Sequence, residues 1–121
     1  IVEKETSLEH ERRKVASVFL NRLSIGMMLQ SCPTVIYAIT QNGKKTLGRS
    51  LTYDDLRVDS PFNTYRSKGL PPSPICNPGR DTIVAALHPE QTTFLYFVAD
   101  GTGGHVFSSN YDEHRRNISR N

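Results

Sequence analysis

Long apolar runs are missing from this chain of 121 residues. No stretch approaches the ~18 consecutive apolar residues that a membrane-spanning helix needs. A charged leader followed by an apolar core is missing too, and Ile1 is not a natural first residue. The expectation is a piece of a longer chain whose targeting or anchoring segment lies outside it. Cysteine is scarce: Cys32 and Cys76 are each followed closely by proline, and no CxxC spacing occurs, which argues against a thiolate metal or redox site. One disulfide in an oxidising compartment and two small buried thiols both fit the sequence, with free thiols the expectation from ordinary cysteine usage.

Other chemistries are absent in the same way. His10, His88, His105 and His114 show no HxH, HExxH or HxxxH spacing, so neither a metal nor any other cofactor is expected. No GxSxG elbow exists for a serine nucleophile. A cysteine nucleophile, Cys32 or Cys76 with His105, lacks an obvious helix N-terminus or basic neighbour to lower its pKa. The net charge is +3, yet Lys and Arg are scattered rather than gathered in a stripe, so no nucleic-acid partner is expected. Internal repeats and low-complexity tracts are missing as well, and the length suits one domain of ordinary size.

What the chain does have is helical periodicity broken by turn chemistry. Leu8, Val15, Val18, Phe19 and Leu23 recur at three- and four-residue steps, which predicts an amphipathic helix over 7–25 that Gly26 terminates. Thr6 or Ser7 can cap it, and a break there would leave Glu5 at a helix end. Met27 to Ser31 reads as extended, Pro33 opens a short helix through Val35, Ile36 and Ile39, and Asn42-Gly43 is a turn. Thr52 and Asp55 have the spacing of a capping box. Seven prolines and glycines between Asp59 and Arg80 leave only a long loop, a length that usually serves a site. A helix over 81–87 follows. Phe94 to Ala99 and His105 to Ser108 form a hairpin across Asp100 to Gly104. Asn110 or Asp112 caps a last helix with Arg115, Arg116 and Arg120 towards its C-terminal end. The fold class is α+β: helices around a small antiparallel sheet, the proline-rich loop bordering a groove beside the first helix.

Among the carboxylates, Glu3 and Glu5 point about 200° apart on a helix, so only one can face a given cleft. Glu3, Glu9 and Glu11 read as a solvated face mixed with Lys4, Arg12 and Arg13. Spacing alone would make Glu5 a surface residue as well.

The strings IVEKET, VASVFLNRL, GMMLQSCPTVIYA, DSPFNTY, GLPPSPICNPG, AALHP, LYFVADGTGGHVFS and EHRRN resemble, over essentially the whole chain, the catalytic domain of the MltG (YceG-like) endolytic murein transglycosylases. The resemblance implies one such domain over 1–121, cut from a longer chain anchored by an N-terminal helix in the bacterial inner membrane, with its catalytic part on the extracytoplasmic face. It implies cleavage of nascent peptidoglycan glycan strands, termination of their elongation, and association with peptidoglycan synthases. The catalytic glutamate of the family corresponds to Glu5, and Thr6 takes the place of the serine in the Glu-Ser pair of lysozyme-like transglycosylases. Where the family usually reads SDPT or TDPT, this chain has Ser31-Cys32-Pro33-Thr34, so no acid stands there.

The implied mechanism uses Glu5 in its protonated form, its pKa raised by burial against neighbours such as Val2. It donates to the oxygen between N-acetylmuramic acid and N-acetylglucosamine. The substrate's acetamido group stabilises the cationic centre, and Glu5, now ionised, takes the proton of the muramyl C6 hydroxyl, which attacks C1 and closes a 1,6-anhydro ring. Thr6, Gln30, Thr34, Asn63, Thr64, Tyr65, Asn77 and His105 are candidates for hydrogen bonds to sugar, with Tyr37, Tyr65 and Phe107 as apolar faces. Each has an ordinary alternative: amides satisfying loop backbone, aromatics filling a core, His105 holding the hairpin. A hydrolytic muramidase and a peptidoglycan-binding module without turnover are the alternative functions.

Overall fold

The computed structural model describes residues 1–120. The elements run α1 (Val2–Glu5), α2 (Glu9–Ser24), α3 (Cys32–Ile39), a 3-10 turn (Asp55–Arg57), α4 (Arg80–Leu87), β1 (Tyr96–Ala99), β2 (His105–Ser108) and α5 (Tyr111–Arg120). This is the α+β arrangement read from the sequence, with a two-stranded antiparallel sheet.

The central element is α2, which packs against α1, α4 and β1. Its buried face carries Val15, Val18 and Phe19. Val15, Phe19 and Leu29 form the core, onto which Ile1, Val2, Leu23, Phe97 and Phe107 pack. Phe19 and Phe97 meet edge to face at 5.8 Å, a favourable geometry for two aromatic rings. Gly26 ends the helix at φ +71°, in the left-handed region where a side chain is costly.

The break expected after Glu5 is present. Thr6 is extended, at φ −148° and ψ 144°, but it does not cap α2: its Oγ1 accepts the Leu8 N–H at 3.1 Å, closing a local turn, and α2 starts behind Leu8 without a side-chain cap. The segment 27–31 contains no strand, and Gln30 has a positive φ of 50°. Cys32 itself opens α3, so one cysteine does stand at a helix N-terminus, contrary to the sequence reading. Both thiols are free.

Thr52 and Asp55 form the reciprocal capping box, with the Thr52 N–H donating to Asp55 Oδ2 at 2.8 Å and the Asp55 N–H to Thr52 Oγ1 at 3.2 Å. Between that turn and α4 the chain makes only turns and bends. The hairpin pairs Ala99 with His105 and Tyr96 with Ser108, so its loop has the predicted bounds, although β1 starts two residues later than the aromatic run suggests. Asn110 rather than Asp112 caps α5, accepting the Glu113 N–H at 2.8 Å. Tyr96 stacks on His114 of α5 at 4.8 Å, which seats that helix on the sheet. Among the described residues no helix is long and apolar enough to cross a membrane.

Candidate active site

Glu5 ends α1, at the point where Thr6 turns the chain towards α2. Its neighbours follow from that position. Ile1 and Val2 of the same turn lie on the Val15–Phe19–Leu29 core, which draws the carboxyl group inward. One hydroxyl meets it: Ser31 Oγ donates to Glu5 Oε2 at 3.4 Å. Burial raises the Glu5 pKa above the ordinary value, while the Ser31 hydrogen bond and the charges of His105 and Arg22 pull it down without cancelling the rise. The direction is that of a carboxylic acid kept protonated into a higher pH range.

The hydroxyl beside Glu5 is therefore that of Ser31, not Thr6. Thr6 is buried, and its Oγ1 donates to Glu11 Oε1 at 3.4 Å. Ser31 owes its place to two buried hydroxyl groups: its N–H donates to Thr64 Oγ1 at 2.9 Å, Thr34 Oγ1 donates to its carbonyl at 2.6 Å, and the two threonine hydroxyls are 2.8 Å apart. Thr34 and Thr64, named from the sequence as sugar contacts, are buried and spend their hydroxyls on this network. Asn63 is buried likewise. Its amide donates to the Leu56 and Val58 carbonyls, both at 2.9 Å, and accepts the Tyr65 N–H at 2.9 Å. These three residues join the start of α3, at Ser31, to the loop that carries Tyr65, and their burial leaves them no surface for a ligand.

Tyr65 is half-buried with its hydroxyl 3.2 Å from Cys32 Sγ. Burial first, and then the Cys32 and Glu5 neighbours, push the phenol well above its usual range, so it stays a neutral donor. Arg22 reaches the same region from α2: Nε donates to the Leu95 carbonyl at 2.7 Å and Nη1 to the Leu29 carbonyl at 2.6 Å, with the guanidinium 5.3 Å from the Tyr96 ring centre.

His105 is held by Glu11. The ring Nδ1 lies 2.7 Å from Glu11 Oε1 and the His105 N–H donates to Glu11 Oε2 at 2.7 Å. Burial raises the Glu11 pKa, and the bonds from the His105 ring and backbone outweigh it, so the carboxyl group stays ionised more readily than usual. The solvated-face reading fails for Glu11, which is 5% exposed. It fails for Glu3 too: Glu3 Oε1 accepts the Gly79 N–H at 2.5 Å and the Thr82 hydroxyl at 3.1 Å, capping α4 from across the fold.

The remaining candidates lie apart. Tyr37 lines a cavity of ≈ 410 Å³ with Lys4, Ile36, Lys45, Leu47 and Ile75. This cavity borders α1 and the proline-rich loop, but Glu5 is not in its wall. Phe107 packs against Phe94 and Phe97 at 5.5 and 5.9 Å. Gln30 and Asn77 are exposed. Sequence reasoning missed Ser31, Arg22 and Glu11. The last two carried a readable signal, since Glu11, Val15, Val18 and Arg22 share one stripe of α2, and a charged residue on an apolar stripe has a buried partner to find. Among the described residues no cluster of His, Cys, Asp and Glu is arranged to hold a metal ion.

The sequence profile of the YceG-like family matches residues 1–120. The chain belongs to the YceG-like family. It is 44% identical over 116 residues to an endolytic murein transglycosylase of Bacillus subtilis, covering 96% of this chain and 31% of that protein. It is 39% identical over 123 residues to an endolytic murein transglycosylase of Streptococcus pneumoniae, covering 98% of this chain and 22% of that one. The crystal structure of a yceG-like protein from Listeria monocytogenes superposes with a TM-score of 0.83 at 45% identity, over 95% of this chain and 35% of that one. This YceG-like chain thus spans less than a third of the curated relatives it matches.

Proposed function

We propose that this chain is the catalytic part of an endolytic peptidoglycan transglycosylase that cleaves the β-1,4 bond between N-acetylmuramic acid and N-acetylglucosamine and leaves 1,6-anhydro ends. The observation that carries the reading is Glu5, a carboxyl group drawn into the protein beside Ser31 with its ionised form disfavoured, in a chain of the YceG-like family. Such a group holds a proton for the leaving O4 as the C1–O4 bond breaks. The developing positive charge at C1 is met by the substrate's acetamido oxygen, so one protein carboxyl group suffices. Glu5, now ionised, takes the proton of the muramyl C6 hydroxyl as that oxygen bonds to C1, which returns the carboxyl group to its starting form. Holding O6 against C1 in place of water is a matter of positioning, worth several kcal/mol in effective concentration. Ser31, hydrogen-bonded to Glu5, and Tyr65 and His105, which interact with it electrostatically, are polar side chains available for that purpose. In the cell, the same reading places the domain on the extracytoplasmic face of the bacterial inner membrane, acting on nascent strands and ending their elongation beside the peptidoglycan synthases.

Purified glycan strands incubated with the protein should yield muropeptides lighter by one water than hydrolysis products, and Glu5→Gln should abolish them, a loss of at least about 10²-fold. Reducing muramic ends would make the protein a muramidase, and strand binding without cleavage would make it a binding module. Either result overturns the proposal.

A further inference from the structure

The cavity of ≈ 410 Å³ beside Tyr37 has a lining poorly suited to sugar. One wall is a single face of α3 and its C-cap: Pro33, Ile36, Tyr37 and Thr40 stand at the three- and four-residue steps that bring side chains together on a helix. Leu47 closes it from the loop after α3 and Ile75 from the proline-rich loop. These walls are firmly held. Tyr37 packs on Phe62 with ring centres 4.9 Å apart, a Cβ on Gly43 would lie 3.4 Å from the Tyr37 ring, and Ile75 is buried. Thr40 gives its hydroxyl to the Ile36 carbonyl at 2.6 Å. A sugar ring, with a hydroxyl on most of its carbons, would find few partners on such walls.

The charge of the lining is of one sign. Lys4 and Lys45 are its charged residues, both are exposed, and neither is in an ion pair among the described residues. Glu3, the carboxylate beside Lys4 in the chain, is committed to Gly79 and Thr82. The Lys45 main chain is fixed by its N–H, which donates to the Thr40 carbonyl at 3.0 Å. Apolar walls beside charges of one sign favour an anion that has apolar parts. Position narrows the choice further. Lys4 precedes Glu5 in α1, and Pro33 is two residues beyond Ser31, whose hydroxyl bonds Glu5. The cavity and the catalytic carboxyl group thus share α1 and the start of α3. A muramic residue with its C1 at Glu5 carries, on the lactyl ether of its C3, a short peptide with free carboxylates. An extended chain advances ~3.3–3.6 Å per residue, so three residues cover the ~10 Å width of a helix.

We propose that this cavity binds the acidic peptide of the muramic residue under attack, Lys4 and Lys45 taking its carboxylates and the α3 face its aliphatic side chains, so that the protein selects peptide-bearing strands over bare glycan. The inference rests on the transglycosylase reading above and adds the substrate class which that reading leaves open.

Two measurements test it. In the first, strands with their peptides intact and strands stripped by an amidase are given to wild type, Glu5→Gln, Lys45→Gln, Lys4→Gln/Lys45→Gln and Lys4→Arg/Lys45→Arg, each checked for folding by circular dichroism. Wild type should favour peptide-bearing strands by at least about tenfold in kcat/KM. A solvent-facing ion pair is worth up to about fivefold, so this preference should fall by about threefold in Lys45→Gln and about tenfold in the double glutamine variant, and by less than about twofold in the double arginine variant. In the second, the peptide released by the amidase is titrated at millimolar concentration into isotope-labelled Glu5→Gln and followed by amide NMR. The signals of residues 43–47 and 75–76 should shift, and should stay in place when the peptide carboxylates have been converted to amides. Equal cleavage of both kinds of strand by wild type overturns the proposal, as does a preference that the double glutamine variant keeps within about twofold. Peptide-induced shifts that are absent or lie elsewhere overturn it too, and shifts of these signals by bare glycan would make the cavity a sugar subsite instead. Shifts by the peptide without Glu5-dependent cleavage of either kind of strand would support the peptide site and overturn the transglycosylase reading itself.

Discussion

At the scale of single residues, the burial of Glu5 has a thermodynamic cost. Its folded-state pKa lies above the unfolded value, so the folded protein binds the extra proton. The stability associated with that proton is fully present below about pH 4 and is lost as pH rises through the raised pKa. Once pH has risen through that value, the ionised, partly buried carboxylate destabilises the fold, and there the neutral amide of Glu5→Gln should stabilise it by about 1 kcal/mol while abolishing activity. Thermal midpoints of the two proteins measured from pH 4 to 8 should converge at the acid end. A constant difference across that range would contradict the assignment. The same sign applies to turnover: the donor form of Glu5 is depleted as pH rises, so kcat should fall on the alkaline side, the descending limb lying above the ordinary glutamate value of 4.5. Little of this was legible in the chain. IVEKET marked Glu5 by resemblance, but the hydroxyl that meets it comes from Ser31, and no local pattern connects those two positions.

Among the elements, short pieces are joined by side chains that act across the fold. α4 has Gly79 at its N-cap and no cap of its own; Glu3 of α1 supplies one through the Gly79 N–H and Thr82 hydroxyl. The Gly79 bond, followed by that of Thr82, holds the Glu3 pKa below its ordinary value, as expected for a carboxylate facing unpaired N–H groups at a positive helix end. Glu3→Ala should speed hydrogen exchange of the α4 amides and leave those of α5 unchanged; equal acceleration in both helices would show a global effect instead. The helices themselves, the Thr52–Asp55 box and the hairpin loop were readable, because periodicity and turn chemistry are local. The interior of the long loop was not. Asn63 and Thr64 have the side chains of ligand contacts, yet they are buried, with Thr34 of α3 beside Thr64, because that loop has no strand or helix partner for its backbone and must satisfy it with side chains.

For the molecule as a whole, Arg22 joins three parts: α2 that carries it, the turn segment at Leu29, and the entry to the hairpin at Leu95. Arg22→Met keeps the length of the stem but leaves two buried carbonyls unmatched, and should lower stability by about 3 kcal/mol in urea unfolding. A change below about 0.5 kcal/mol would mean that the joint contributes nothing. The 410 Å³ cavity beside Tyr37 lies on the side of α1 that bears Lys4, and Glu5 is not in its wall.

By itself the sequence determined the elements, the α+β class, the positions where the chain must break, and through its motifs the family to which Glu5 belongs. These follow from interactions between residues a few positions apart, or from strings that can be matched whole. The tertiary structure alone decided that Ser31 meets Glu5, that the charges of Arg22 and His105 reach it, that Glu11 holds His105, and that Glu3 caps a helix far from it in the chain. Such partners are brought together by burial of the core, and a buried carboxylate takes whichever donor the packing puts within hydrogen-bond reach.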